Sequence, residues 1–455
     1  MLKSYLLALI NSDYLKLNSK NLILVLLIFF PSFLYGGNNL IGFFLSSLFF
    51  QFFFILNLNF SEKLIYRKLI IAHILLIIYL CFQLIPFTFS FFNIFSKNHN
   101  ELYNLLSDIS YRPLSLNVFE TIKNIIIYFN ILILFLITPY IINSKRALNF
   151  TFQTIIFFGL IHVVFGLFIE IFEIYKVGIY QKNYYLGSLT GFFINRNNFS
   201  FFLVLIFIVN FYYLGFYKKY FLAQKKTYSQ FFQFISSNLF IYRLSLIFFS
   251  VGIILTKSRA GNLSFLIVLC LIFLIEYFKY KKITFNLVLV TSVILLDLLI
   301  LSNLLGLSGL IERVAATTID GEASRLSVFL LGLKEFLNFP IFGYGYGGFE
   351  VLYRLNHDIY PTFYNHVHND FIQFLGEFGI VGLSLFSFWI FRIIQNFKRN
   401  FNKNIYELNM IIILTFLITL IHGNLDFALH IPGNVYLLFF ILSLSLTEIK
   451  RSIKN

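Results

Sequence analysis

A chain of 455 residues that is 59% hydrophobic, 12% charged and has a mean hydropathy of +0.82 is not a soluble globule, whose domains carry about a quarter charged residues. It reads as an all-α polytopic membrane protein. Its formal net charge of +15 does not argue for nucleic acid, because Lys and Arg collect in the cytoplasmic loops of such proteins as a topology signal.

The 20% aromatic share comes mostly from 64 Phe. With scarce Ala and abundant Ile, Leu, Asn and Lys, it reflects A+T-rich coding DNA more than a functional demand. Cys81 and Cys270 both lie inside apolar runs, which indicates neither a disulfide nor a thiol metal site. The first residues, MLKSYLLALINSDYLKLNSKN, hold an apolar run too short for a signal peptide and no small-residue cleavage site. The first true span is expected to do the targeting.

A membrane span needs about 20 apolar residues. On that measure the first candidates are 22–35, 40–60, 69–85, 122–142, 150–174 and 199–217. A second set follows at 244–256, 263–278, 283–305, 371–394, 405–421 and 435–446. This gives about twelve helices and three expected units: residues 1–305 with spans one to nine, a partly helical periplasmic loop at 306–370, and residues 371–455 with spans ten to twelve.

Most Lys and Arg fall at Arg67 and Lys68, Lys145 and Arg146, and in the runs 218–226, 279–282, 392–403 and 450–454. Those positions predict cytoplasmic loops and put both termini in the cytoplasm. The chain ends soon after its last span, so no further carboxy-terminal domain is expected. Cations on the other face work against the topology signal, and they are mainly Arg196, Lys257, Arg259, Arg313, Arg325, Lys334 and Arg354, with Lys97, Arg112, Lys176 and Lys182 more scattered.

The outward stretch 306–369 is too long for a simple connector. Within it, 322–339 puts Leu326, Phe329, Leu330, Leu333, Phe336 and Leu337 on one face at helical spacing, with Pro340 ending the helix. An amphipathic helix along the membrane interface is expected.

Five constellations could carry chemistry. In TGFFINRNNF, Arg196 is either a snorkelling anchor or an anion contact at a helix N-terminus. The tight outward turn TKSRAGNLSF holds Lys257 and Arg259, for which a phosphate group is the natural partner. Arg325 lies on the loop helix, and after it comes PIFGYGYGGF, residues 340–349. No strand or βαβ unit makes those glycines a dinucleotide fingerprint. They form either a bend whose N–H groups meet an anion or a flexible turn.

The fourth constellation is HVHNDFIQFLGEFGIVG, residues 366–382, where a polar loop re-enters an apolar helix. Gly379 and Gly382 would let another helix approach closely. A histidine above them is either a buried hydrogen-bonder or a general base, whose unperturbed pKa lies near working pH. His366, His368 and Asp370, with His357 and Asp358 upstream, also permit a metal, although the nearby Arg would repel a cation. Last, LIHGNLDFALHIPG spaces His422, Asp426 and His430 four apart on an outward helix end, where they could form a second ligand face or a wet, capped terminus. His73, His162 and Asp297 are the clearest ionisable residues within spans and form no relay.

Together these residues resemble the O-antigen ligase and O-antigen polymerase superfamily of bacterial envelope enzymes. His368, Asn369, Gly379 and Gly382 match that family's pattern of His, then Asn, Ser or Gln, nine residues, Gly, two residues, and Gly, Thr or Tyr. The GFFINRNNF and TKSRAG blocks, the Arg325 helix leading to PIFGYGYGGF, and Asp426 with Pro432 follow the family's order. The resemblance covers 189–432 in motif terms and the earlier spans by topology alone.

It implies a metal-independent glycosyltransferase that needs no cofactor and works on the periplasmic face of the bacterial inner membrane. The donor would be a polyprenyl-diphosphate-linked glycan and the acceptor a hydroxyl of lipid A-core or another glycan, with no nucleic acid partner. By position, His368 would be the general base, and Arg196, Arg259 and Arg325, with Lys257, would hold the diphosphate. Asn369, Gly379, Gly382, His366 and Asp426 would support the site. A ligase-like transferase is favoured slightly over a repeat-unit polymerase. A flippase for lipid-linked glycan is the reading from another class, and it predicts broken helices and midplane charges.

Overall fold

The computed structural model describes residues 12–57, 66–88, 90–91, 98–99, 111–215, 239–281, 292, 325–355 and 364–449. Within them the chain is almost wholly helical. In order, α1 spans Ser12–Phe33, α2 Leu40–Leu56, α3 Arg67–Phe82, α4 Val118–Ile141, α5 Lys145–Phe172 and α6 Arg196–Gly215. There follow α7 (Leu239–Leu255), α8 (Arg259–Tyr280), α9 (Arg325–Asn338), α10 (Phe349–Leu355), α11 (Asp370–Asn400), α12 (Tyr406–Gly423) and α13 (Pro432–Ser443).

Two small antiparallel pairs, not read from the sequence, interrupt the helices. β1 (Pro86–Thr88) pairs with β2 (Tyr111–Pro113), Phe87 opposite Arg112. β3 (Lys176–Val177) pairs with β4 (Tyr180–Gln181), Val177 opposite Tyr180.

Six helices, α4, α5, α6, α8, α11 and α12, are long and apolar enough to cross a membrane. Shorter apolar helices lie at Ser19–Phe33, Leu40–Leu56, Phe240–Leu255 and Pro432–Leu446. The expected ninth span, 283–305, lies outside the described residues apart from residue 292. So do Asp297, Arg313, His357, Asp358, Lys97 and the basic runs 218–226 and 450–454.

The helix α6 is central, because every side chain from Asn197 to Tyr213 is buried. It packs against α5, α7, α8, α12 and α13, as a helix apolar all round must. By contrast α2 leaves Ile41, Leu48, Phe52, Ile55 and Leu56 exposed at the edge of the bundle. Such a row suits lipid.

Contacts across the bundle define two ends. At one, the Tyr66 hydroxyl donates to the Leu446 carbonyl, Asn400 Nδ2 donates to the Ser445 carbonyl at 3.0 Å, and Lys279 lies over the Tyr406 ring. At the other, Leu189 N–H bonds the Leu255 carbonyl at 2.9 Å, Leu116 N–H bonds Tyr344 O at 3.0 Å and Asp370 N–H bonds Asp426 O at 3.2 Å. This second end gathers the polar motifs.

The loop helix α9 turns a different face to the protein than its largest side chains suggest. Val328, Leu331 and Glu335 are buried, and Gly332 meets Val367 and Ile372, while Leu326, Leu330 and Leu337 of the expected apolar stripe are exposed. The helix thus has two apolar faces, one turned to the protein and one exposed.

The decisive local feature is a break in α11. Gly379 has φ +60° and ψ −173°, outside the helical region, and the break frees backbone groups that an intact helix would pair. The glycine-rich segment takes them up: Tyr344 N–H donates to Gly376 O at 3.0 Å and Gly345 N–H to Glu377 O at 3.2 Å, while Ile380 N–H and Val381 N–H donate to Pro340 O and Ile341 O at 2.8 and 3.1 Å. From α3, Tyr79 OH donates to Phe378 O at 2.6 Å and Gln83 Nε2 to Glu377 O at 2.9 Å.

The close approach expected of Gly379 and Gly382 therefore has two forms. A Cβ on Gly379 would stand 2.5 Å from Gly343 N, and one on Gly382 would enter the Tyr79 ring. Gly379→Ala is expected to lower the unfolding temperature in detergent micelles more than Gly178→Ala does. Gly178 shares a positive φ of +56° but has nothing within 4 Å, so that variant carries the backbone strain alone. Equal shifts would mean the crossing contributes nothing.

Candidate functional site

Two segments enter this end side by side: residues 364–370, leading into α11, and 424–431, leading into α13. They are joined by a reciprocal exchange of histidines and aspartates. His368 Nδ1 meets Asp426 Oδ1 at 2.9 Å, and in the opposite sense His430 Nδ1 meets Asp370 Oδ1 at 2.7 Å. Leu429 N–H adds a bond to Asp370 Oδ2 at 3.0 Å. Asn369 caps α11, its Oδ1 accepting from Phe371 N and Ile372 N at 3.1 Å each, while its Nδ2 donates to Asn424 O at 3.1 Å. Asn at this place is a helix cap.

The two His–Asp pairs look alike but their second nitrogens differ. His430 Nε2 faces Glu377 Oε2 at 3.2 Å, so both ring nitrogens meet carboxylates in a site where the imidazole is 2% exposed. Burial opposes a charge on His430, yet Glu377 and Asp370 overcome it and raise its pKa to about 9. His430 is thus an imidazolium at neutral pH, with no lone pair for a proton or a metal. Glu377 Oε1 in turn accepts from Gln373 Nε2 at 2.8 Å and from Gly347 N–H at 3.0 Å.

His368 is the other case. Its side chain is 15% exposed, and Nε2 has no hydrogen-bond partner among the described residues. Asp426 accepts from His368, from Phe427 N–H at 2.9 Å and from Asn197 Nδ2. Three donors converging on one carboxylate leave it acceptor only, so Nδ1 carries the proton and Nε2 presents its lone pair outward. His368 also has φ +57°, a left-handed backbone that costs a non-glycine residue about 1–3 kcal/mol and clusters at functional sites.

His366 is a neutral neighbour. It stacks on Phe427 at 4.2 Å, and its Nδ1 takes a bond from Gln373 Nε2 at 3.1 Å. Burial, then the nearby His430 and His368, push its pKa well below the ordinary imidazole value.

Arg196, Arg259 and Arg325 each occupy the first residue of a helix, α6, α8 and α9. A cation there opposes the helix dipole by about 0.3–1 kcal/mol, whereas an added anion reverses the sign. Arg196 lies over the Tyr185 ring at 5.2 Å and reaches Ser188 Oγ at 3.5 Å. Lys257 has φ +51° and its Nζ lies over Gly187, so it borders the same loop. The first turns of α6 and α8 touch through Ser200 and Gly261, which sets the Arg196 and Arg259 ends together. Only the backbone of Arg325 lies within the described residues. Asn197, next to Arg196, carries the link through Asp426 to His368.

Two expectations are corrected. The N–H groups of PIFGYGYGGF do not await a ligand anion: those of Tyr344 and Gly345 close the α11 break and that of Gly347 binds Glu377. His422, Asp426 and His430 do not share a helix face, because α12 ends at Gly423. His422 turns away to Ser264 Oγ at 3.2 Å and the Phe201 ring.

His73 in α3 and His162 in α5 take local bonds to Tyr128 O and Ser32 Oγ at 2.8 and 2.9 Å inside aromatic cages. Among the described residues no group of three His, Cys, Asp or Glu side chains is arranged to hold a metal.

The sequence reading passed over Glu377, Gln373 and Asn197. Glu377 carries a signal, an acidic residue two turns inside an apolar span.

The fold defines a multi-pass helical membrane protein with a polar site at one end of the bundle. Residues 244–387, about a third of the chain, match the family described as O-antigen ligase. That match supports membership of the O-antigen ligase superfamily of membrane glycosyltransferases. It takes in Lys257, Arg259, Arg325, His366, His368, Asn369, Gly379 and Gly382, while Arg196, Asp426 and His430 fall outside it. No curated protein matches the chain.

The charged His430 predicts a pH dependence of stability. The folded chain holds a proton at His430 up to about pH 9 that an unfolded histidine loses near pH 6.5, so this contribution is full below about 6.5 and is lost as pH rises through about 9. Stability of the wild type against unfolding in micelles is expected to fall from pH 7 to 9.5 relative to His430→Gln, with a difference of at most about 1.4 kcal/mol per pH unit. Parallel curves would place a neutral imidazole at residue 430.

Proposed function

We propose that this chain is a metal-independent, cofactor-free glycosyltransferase of the O-antigen ligase type. It works at the periplasmic face of the bacterial inner membrane, with both termini in the cytoplasm. The units 1–305, 306–370 and 371–455 are its helical body, its periplasmic loop and its last spans. The donor is a polyprenyl-diphosphate-linked glycan and the acceptor a hydroxyl of lipid A-core or another glycan.

His368 Nε2 takes the acceptor hydroxyl proton. The acceptor oxygen forms its bond to the anomeric carbon as the bond from that carbon to the diphosphate oxygen breaks. The electron pair leaves with the diphosphate, and Arg196, Arg259 and Arg325, with Lys257, stabilise it there. Asp426, with Asn369, Gly379, Gly382 and His366, supports His368.

The observation that carries this reading is the outward-facing Nε2 of His368, backed by Asp426, whose other oxygen is held by the neighbour of Arg196. A repeat-unit polymerase would use the same groups. A flippase is favoured by the break in α11, but among the described residues protein groups take up the backbone freed there.

The test is His368→Ala. Transfer in proteoliposomes should fall by about 10²–10⁴-fold while donor binding persists; full transfer would sink the general-base assignment. For the cations, Arg325→Ala should weaken donor binding and Arg325→Lys should recover part of it. Unchanged binding in both would remove Arg325 from the clamp.

A further inference from the structure

Beyond the reacting atoms, the loop between α5 and α6 builds a shallow, open cleft of about 70 Å³, smaller than a pocket that encloses a whole ligand and of a size to seat one ring against its wall. Its walls are fixed. Tyr35 stacks on Tyr180 at 5.1 Å, and its hydroxyl joins the β3–β4 hairpin twice, accepting from Gln181 N–H at 2.7 Å and donating to Ile179 O at 3.1 Å. The Tyr180 hydroxyl donates to Gly191 O at 3.0 Å, and Phe193 forms the floor.

The chemistry of the lining is narrow. Lys182 is buried and its ammonium is taken by Glu170 and Ser188 O, so the one cation of the cleft is neutralised. What faces outward is the exposed ring of Tyr184 and the side-chain amides of Gln181 and Asn183. Those amides make no hydrogen bond to the protein among the described residues. An exposed aromatic face beside unused amides suits a ring with one apolar C–H face and a rim of hydroxyls. A phosphate would find no unpaired cation, and a lipid chain would leave both amides unsatisfied.

Position points the same way. Tyr185, next to Tyr184, stacks under the Arg196 guanidinium, and Phe193 is three residues before Arg196. Tyr35 and Tyr185 have φ +58° and +56°, left-handed backbone at bulky residues, which clusters at ligand clamps.

We propose that this cleft binds one uncharged sugar ring of the donor glycan, with Tyr184 as the stacking face and Gln181 and Asn183 as hydroxyl partners. This rests on the transferase reading, because Arg196 then takes the diphosphate beside it.

The test uses the full chain in nanodiscs and two probes, undecaprenyl diphosphate and undecaprenyl diphosphate carrying one N-acetylglucosamine. Wild type should bind the sugar-bearing probe about tenfold more tightly, about 1.4 kcal/mol. Tyr184→Ala and the double variant Gln181→Ala with Asn183→Ala, checked for unchanged unfolding temperature, should abolish that preference and leave binding of the bare probe unaltered. Tyr184→Phe should keep most of it. A preference that survives in both variants overturns the sugar site. An equal loss with both probes reassigns the cleft to lipid or diphosphate and also overturns it, with the transferase reading intact. Failure of wild type to bind either probe overturns both.

Discussion

Two aspartates and two histidines, exchanged crosswise between the segments entering α11 and α13, fix the polar end of this protein. Each aspartate is buried and each takes the histidine of the other strand. Removing one partner from such a buried pair leaves an uncompensated group and typically costs about 3–5 kcal/mol. The exchange also sorts the two rings by their second nitrogen. Glu377 consumes that of His430 and makes it a structural cation, whereas that of His368 faces outward. The same motif placed at two depths leaves a ring nitrogen without a partner among the described residues at His368 and none at His430.

The break at Gly379 makes this sorting possible. It lets the glycine-rich strand 340–348 run against α11 and brings Gly347 N–H onto Glu377, so the carboxylate that holds His430 is itself held. The same break is anchored to α3 through Tyr79 and Gln83. The site thus rests on packing deep in the bundle, and Asn197 in the first turn of α6 ties that helix to Asp426.

Much of this was legible in the sequence. Apolar runs locate the helices because a span must satisfy its backbone internally, and the pattern from His368 to Gly382 resolves into an N-cap, a break and a helix crossing. What stayed hidden depends on partners distant in the chain. The glycines of 340–349 fit an anion-binding bend as well as a flexible turn, because nothing local shows that Gly376 and Glu377 take up their N–H groups. His430 looked like the third of a spaced row with His422, because the end of α12 at Gly423 carries no proline to mark it. The buried face of α9 is hidden in the sequence because larger side chains, Leu326 and Leu330, outweigh Val328 and Gly332, the latter of which fits against Val367.

Whether Asp426 acts through His368 decides what the His–Asp exchange is for. Glycan transfer should be measured for Asp426→Asn, His368→Ala and the double variant, with matched unfolding temperatures. If the pair works as a unit, the double variant is no slower than His368→Ala, since groups that act together lose their effect together. Losses that multiply would mean that Asp426 contributes independently, and the dyad at the centre of this structure would not be the catalytic one.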